Sequence, residues 1–433
     1  MKCALRLAVI VSAVACGLFA QSADVKFTAD ISKAGMDPER LARIPARMKE
    51  FVDRGTIAGA VTLVDRHGVV VSLEAVGYLD LETRTPMRTD SIFQIRSMTK
   101  SITAVGIMIL LEEGRLLLSD PVEKYLPEFR DQLVVDKREG DKVLTTKKPS
   151  RPITIMDLLT HTSGMPGDRM LPAEINEHVY VKRDKLLAEI VPLLAQQPLQ
   201  FEPGTKWDYS DPGFTVLGRI IEVVSGQAYQ DFVQQRIFRP LGMKDSFYFV
   251  PPEKRDRVAP IYKLENGKLQ KEDMDQYLKP AKYASPDGGI GVFSTALDMA
   301  AFYQMMLNGG TYHGARILSR ASIEAMTAVH TGDLVPERWW GYGLGWEVSR
   351  ERPSSGAFAL FSIGAYGHPG SRGTLGWVDP QKDLVGVFMI QQRRLESEEP
   401  DSVRDTFIVM TYAAIADDLK STTNVRKGGT HPK

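Results

Sequence analysis

Strand-like stretches lie towards the two ends of this chain, and helical spacing fills most of what separates them. Ala58 to Val64 and Val69 to Ala75 run apolar or alternate around Arg66-His67-Gly68, the pattern of a β-hairpin. From Tyr342 onward strands return, as Gly343 to Val348, Gly373 to Val378 and Leu384 to Ile390. From Ser97 to about Asp287 the signals are mostly helical with long loops, and Leu186 to Leu194 and Phe214 to Val224 carry the helical period. Further helices are expected over Asp37 to Val52, with Pro38 in the first turn, and over Ala300 to Leu307, opened by Ser294-Thr295 and Asp298. A last amphipathic helix is expected over Val403 to Leu419. This order implies an α/β (α+β) fold: one antiparallel sheet built from both chain ends, flanked by helices, with a large helical insertion. A cleft is expected where the insertion meets the sheet.

The insertion begins on Ser97-Met98-Thr99-Lys100, between the apolar Ile92-Phe93-Gln94-Ile95 and the helical run Ile102 to Glu113. On a helix, residues three apart are offset by only about 60° and about 4.5 Å, so Ser97 and Lys100 share a face. A serine hydroxyl is a weak nucleophile until a base takes its proton, and a lysine kept neutral can be that base. A helix N-terminus also offers free N–H groups to a developing oxyanion. Taken alone, the same spacing fits a capping serine followed by a solvent-facing lysine.

Two later stretches bear on that choice. Trp207-Asp208-Tyr209-Ser210-Asp211-Pro212-Gly213 reads as a turn that presents Tyr209, a residue able to relay protons, ahead of a helix. Tyr366-Gly367-His368-Pro369-Gly370-Ser371-Arg372-Gly373-Thr374 is glycine-rich and leads into strands; an edge strand there could offer an N–H to an oxyanion. Singly, these fit a core tyrosine and a bent strand equally well.

In this order the three stretches resemble the serine hydrolases of the class C β-lactamase, D,D-peptidase and family VIII carboxylesterase group, whose pattern is S-x-x-K, Y-x-N or a variant, then K-T-G or H-x-G on a strand. Also similar are Leu158 to Gly164, Phe201 to Gly204, Pro240 to Met243, Gly288 to Gly291 with Ser294-Thr295, and Gly341 to Trp346. The resemblance runs from about Met36 to about Leu419 and implies a β-lactamase or penicillin-binding transpeptidase-like fold. It implies that Ser97 is the acylated nucleophile, Lys100 its base or proton shuttle, and Tyr209 the relay to the leaving alcohol. Backbone N–H groups of Ser97 and Ser371 would form the oxyanion hole, Asp211 would contact Lys100, and His368, Gly370, Ser371 and Arg372 would face the substrate.

Two departures matter. Asp211 stands where asparagine is usual; ionised, it would favour the ammonium form of Lys100 and move the base role towards Tyr209. His368 stands where K-T-G has lysine, and a histidine is mostly neutral at pH 7, which weakens the grip on a β-lactam carboxylate. On a regular strand Arg372, four residues on, would share the face of His368 and restore some charge. The expected activity is therefore a carboxylesterase acting on short-chain esters. The alternatives, in order, are a β-lactamase, a D-amino-acid peptidase and a penicillin-binding protein without turnover. Trp339, Trp340 and Tyr342 could wall an acyl pocket or simply pack the core.

The 433 residues, 43% of them hydrophobic, are ample for a large core. Formal net charge is zero, and nothing points to nucleic acid; Lys147, Lys148 and Arg151 lie in a charged excursion, Asp131 to Pro152, that reads as a surface hairpin. Lys2 and Arg6, the apolar Leu7 to Ala15 and the small residues to Ala23 read as a signal peptide, 1–23, too short for a confident membrane span. Ala13 to Cys16 departs from a lipobox, so a periplasmic or secreted location is favoured over a lipoprotein. Both cysteines, Cys3 and Cys16, fall in this leader, so no disulfide and no thiol nucleophile are expected, and no metal or other cofactor is implied. No G-x-S-x-G elbow occurs. The expected division is 24–96 plus 289–420 as a discontinuous α/β domain, 97–288 as a mainly helical one, and 421–433 as a polar tail.

Overall fold

The computed structural model describes residues 31–140, 142–393 and 400–416. The leader with Cys3 and Cys16 and the tail 421–433 lie outside the described residues, and the expected last helix ends at Ala413, short of Leu419.

Eight strands form one antiparallel sheet. In chain order they are β1 (Gly59–Arg66), β2 (Val69–Asp80), β3 (Thr85–Pro86), β4 (Trp340–Tyr342), β5 (Glu347–Ser349), β6 (Tyr366–Pro369), β7 (Leu375–Asp379) and β8 (Leu384–Met389). Across the sheet the order is β4-β5-β6-β7-β8-β1-β2-β3, so the late strands join the early hairpin where β8 pairs with β1. β1 is buried along its whole length, because its side chains alternate between two covered faces. Ala60 and Val64 enter a cluster with Leu41, Ile44 and Met48 of α1 (Pro38–Asp53), while Val61 and Leu63 enter the larger core with the helical insertion. The insertion includes α2 (Thr99–Glu112) and α3 (Asp211–Ser225). α4 (Ala296–Leu307) packs on β1, β7 and β8, and α5 (Pro400–Ala413) packs beside α1.

Three strand expectations change. The run expected as one strand, Gly343 to Val348, is split, since Gly345 N–H turns back to the carbonyls of Gly343 and Leu159. The segment 370–373 is a turn rather than strand, closed by Gly370 N–H to Thr374 O at 2.7 Å. β6 is not an edge strand, because it lies between β5 and β7. The charged excursion is a hairpin, Val134–Glu139 against Lys142–Lys147, and its Lys147 pairs with Glu202 at 3.3 Å. Among the described residues no helix is long and apolar enough to cross a membrane.

Bare positions let the sheet that carries β6 close, Gly386 among them. Gly386 faces Trp377 across β8 and β7, and a methyl added there would overlap the indole. Phe361 and Phe407 hold that indole from other sides, at ring centroids 5.9 and 5.6 Å away. Gly386→Ala is expected to cost about 3 kcal/mol by overpacking, read as a lower urea midpoint at an unchanged slope. A midpoint equal to that of the wild type would contradict this packing.

Candidate active site

Phe93–Gln94 pairs with Phe293–Ser294, and the chain then passes through a 3-10 turn, Arg96–Met98, into α2. Every residue of α2 from Thr99 to Leu110 is buried, so this helix is buried all round and central, and it holds Lys100 rigidly. Ser97 is half-buried, and Lys100 is 0% exposed. The Lys100 ammonium has three donors and three acceptors: Ser97 Oγ at 3.4 Å, Asp211 Oδ1 and the backbone carbonyl of Asp287. Arg96, just before Ser97, holds a left-handed φ of 51°, an uncommon conformation for a residue with a side chain.

The stretch Trp207 to Gly213 is not all turn. Ser210 caps α3 by accepting the Gly213 N–H at 3.2 Å, and Asp211 and Pro212 are already in the helix's first turn. The cap thus aims Asp211 at Lys100 and leaves Tyr209 just outside the helix. The Tyr209 ring lies beside Ser97 and Lys100, its centroid 4.7 Å from Lys100 Nζ. Burial pushes the Tyr209 phenol well above its ordinary range and Asp211 adds to this, while the neighbouring Ser97 opposes it. The resting group is therefore a phenol, which can donate a proton. Burial also raises the Asp211 carboxyl, opposed chiefly by Lys100.

Asp287 is a further participant. Its carboxylate accepts from Ser285 Oγ, from Gly289 N–H at 2.8 Å and from Thr215 Oγ1 at 3.1 Å. These bonds shape the turn that points its carbonyl at Lys100. The position directly precedes the glycine-rich Gly288 to Gly291 and is legible only through that neighbour.

The end of β6 approaches Ser97 from the other side. β5 pairs with β6 only at Tyr366 and Gly367, leaving His368 and Pro369 beyond the end of β5. Gly370 passes so close to Ile95 O and Thr374 Oγ1 that a side chain there would overlap both. Ser371 is exposed in the turn that follows. Arg372 lies in that turn rather than on a strand face shared with His368, and it neighbours Arg96. Burial, then the charge of Arg372, hold the Arg96 guanidinium down to about 9. His368 is 1% exposed; burial and the charge of Lys100 hold its imidazole down to about 3, so it is neutral.

Aromatic rings complete the site. His161 lies 4.4 Å from the Tyr209 ring, and Trp340 meets Trp207 edge-on at 5.3 Å. Tyr342, read as either a pocket wall or core packing, is fully buried and hydrogen-bonded to His161 and His368. Trp339 instead stacks on Phe358 at 5.4 Å. Ser97, Lys100, Tyr209 and Asp211 therefore converge, with the end of β6 beside them. Such a cluster can activate a hydroxyl, hold a proton nearby and return it to a leaving group.

Comparison with known proteins places the fold and the family. Protein Rv1367c of Mycobacterium tuberculosis is 31% identical over 364 residues, covering 80% of this chain and 88% of that protein. A Salmonella typhi protein named "Putative D-alanyl-D-alanine carboxypeptidase" is 28% identical over 434 residues, covering 93% and 95%. Among solved structures, EstCE1, described as a hydrolase with promiscuous acyltransferase activity, has a similar fold: TM-score 0.73 at 24% identity, over 88% of this chain and 99% of that one. The octameric penicillin-binding protein homologue from Pyrococcus abyssi gives 0.65 at 27% identity, over 86% and 76%. The family model described as Beta-lactamase matches from residue 44 to residue 408, and over that span this chain belongs to the Beta-lactamase family of serine hydrolases.

Proposed function

We propose that the chain is an exported carboxylesterase that transfers a short acyl group from an ester to Ser97 and then to water. The observation that carries the ester reading is the neutral, buried His368 at the end of β6. No fixed cation stands there to grip a carboxylate, and an ester offers a better leaving group than an amide.

In the first half-reaction Lys100 takes the Ser97 proton as Oγ bonds to the ester carbonyl carbon. For this Lys100 must be neutral, and the raised Asp211 carboxyl can hold the proton in its place. The oxyanion is received by the backbone N–H groups of Ser97 and Ser371. The carbonyl carbon–oxygen bond then breaks, the leaving alkoxide takes the Tyr209 proton, and Lys100 restores it. Water reverses the sequence to release the acid. Gly370 allows β6 to approach closely, while Trp207 and Trp340 supply an apolar wall.

A second reading, β-lactam or D-amino-acid peptide hydrolysis, draws support from the neighbouring guanidinium groups of Arg96 and Arg372, which could receive a carboxylate. Steady-state turnover of p-nitrophenyl butyrate beside nitrocefin separates the two. We expect kcat/KM for the ester to exceed that for nitrocefin by at least about tenfold, the worth of one charged hydrogen bond. Nitrocefin turnover equal to or above the ester would overturn the esterase reading and make Arg372 the next residue to replace.

A further inference from the structure

A hydrogen-bonded chain links the Tyr209 segment to β6. Ser210 N–H lies 3.1 Å from His161 Nδ1, and His161 Nε2 lies 3.2 Å from the Tyr342 hydroxyl. That hydroxyl lies 3.0 Å from His368 Nε2, and His368 Nδ1 lies 2.8 Å from the carbonyl of Pro369. The two ends set the direction. A backbone amide can only donate, so His161 Nδ1 accepts and the proton of that neutral ring is on Nε2. A carbonyl can only accept, so His368 carries its proton on Nδ1, and its Nε2 accepts. Tyr342 therefore takes the His161 proton donation and gives its own proton to His368. Each of these bonds is satisfied once and none needs a charge, in keeping with burial and Lys100 depressing both imidazoles.

We infer that His161, Tyr342 and His368 form a one-directional strut of positioning residues that holds the Tyr209 segment in register with the end of β6, and that it requires a neutral acceptor at position 368. The three side chains are 1%, 0% and 1% exposed, so water cannot substitute for a lost partner. They come from the loop after Ile155–Leu159, from β4 and from β6; the sheet joins the two strands only through β5, and the loop meets the Tyr209 segment through Asp208 N–H to His161 O at 3.0 Å, so the strut adds the direct side-chain link across all three. The groups facing the strut include Lys100 from α2, Trp207 and Tyr209 from the segment before α3, Asp211 and Phe214 from α3, and Glu347 of β5, the cross-strand partner of Tyr342. A lysine at 368 could only donate. It would compete with His161 for the Tyr342 oxygen and leave the Tyr342 proton without an acceptor. His368→Lys should therefore lower activity, although it adds the cation found in K-T-G. A glutamine amide oxygen can accept in place of Nε2.

The activity arm of the test rests on the esterase reading; the spectroscopic arm does not. In protein labelled with 15N-histidine, long-range proton–nitrogen spectra at pH 7 should show His161 as the Nε2–H form and His368 as the Nδ1–H form. A charged ring or the opposite tautomer at either position overturns the strut. With p-nitrophenyl butyrate, His368→Lys should lose at least about tenfold in kcat at little-changed KM, and His368→Gln, which keeps an acceptor, should lose several-fold less than the lysine variant. A lysine variant as active as the wild type overturns the acceptor requirement. Should that variant not fold, Tyr342→Phe removes both central bonds without adding charge, and an unchanged kcat there overturns the strut. A wild type that hydrolyses no ester sinks the esterase reading alone, and the tautomers then decide the strut.

Discussion

Ser97→Ala is expected to lower kcat on p-nitrophenyl butyrate by about four to six orders of magnitude, the loss typical of removing a nucleophile that works as part of a unit. Stability should hardly change, because Ser97 is half-buried and its contact with Lys100 is a long 3.4 Å. No neighbouring group can take over. Ser101, one turn along α2, is buried and gives its proton to the Gly345 carbonyl at 2.8 Å. The only cysteines in the sequence are Cys3 and Cys16, both in the expected leader. Turnover surviving within a hundredfold, in protein with wild-type circular dichroism, would remove Ser97 from the role proposed for it.

Lys100→Met should cost activity and stability together, with a pH signature. Loss of the proton carrier should reduce kcat by about a thousandfold. In the folded state Asp211 would then feel burial and the charge of Asp287, both of which raise its carboxyl, with no Lys100 to oppose them. Its folded pKa would lie above its unfolded one. Below the unfolded pKa both states are protonated and Asp211 brings no penalty. The penalty grows as pH rises towards the folded pKa and is complete above it. The variant should therefore be less stable than the wild type by about 3 kcal/mol at pH 8, and by less at pH 5. Adding Asp211→Asn should recover most of that stability and none of the activity, since it removes the buried charge without supplying a base. Urea titrations at the two pH values decide it: an equal loss at both, or no recovery in the double variant, would contradict the buried pairing.

The local chemistry of the chain was legible where it depends on near neighbours in sequence. Ser97 and Lys100 share a helical face whatever surrounds them, and the early hairpin follows from alternation around Arg66-His67-Gly68. The β-lactamase-like fold followed from the order of three motifs. Strand limits around Gly345 and Gly370 were misplaced, because the bonds that end those strands go partly to Leu159 and Thr374, one of them far off in the chain. For the same reason Arg372 could not be set on a strand face by counting.

By itself the sequence determined the serine-lysine pair, the aspartate in place of asparagine and the histidine in place of lysine, since each is a matter of residue type at a local spacing. Only the tertiary structure decided what those residues are electrostatically. The Lys100 partners come from the 3-10 turn before α2, from α3 and from the Asp287 turn, and the neutrality of His368 comes from burial against Tyr342 and Lys100. The physical reason is that charge state and hydrogen-bond direction are set by desolvation and by partners far away in the chain, and these exist only once the chain has folded.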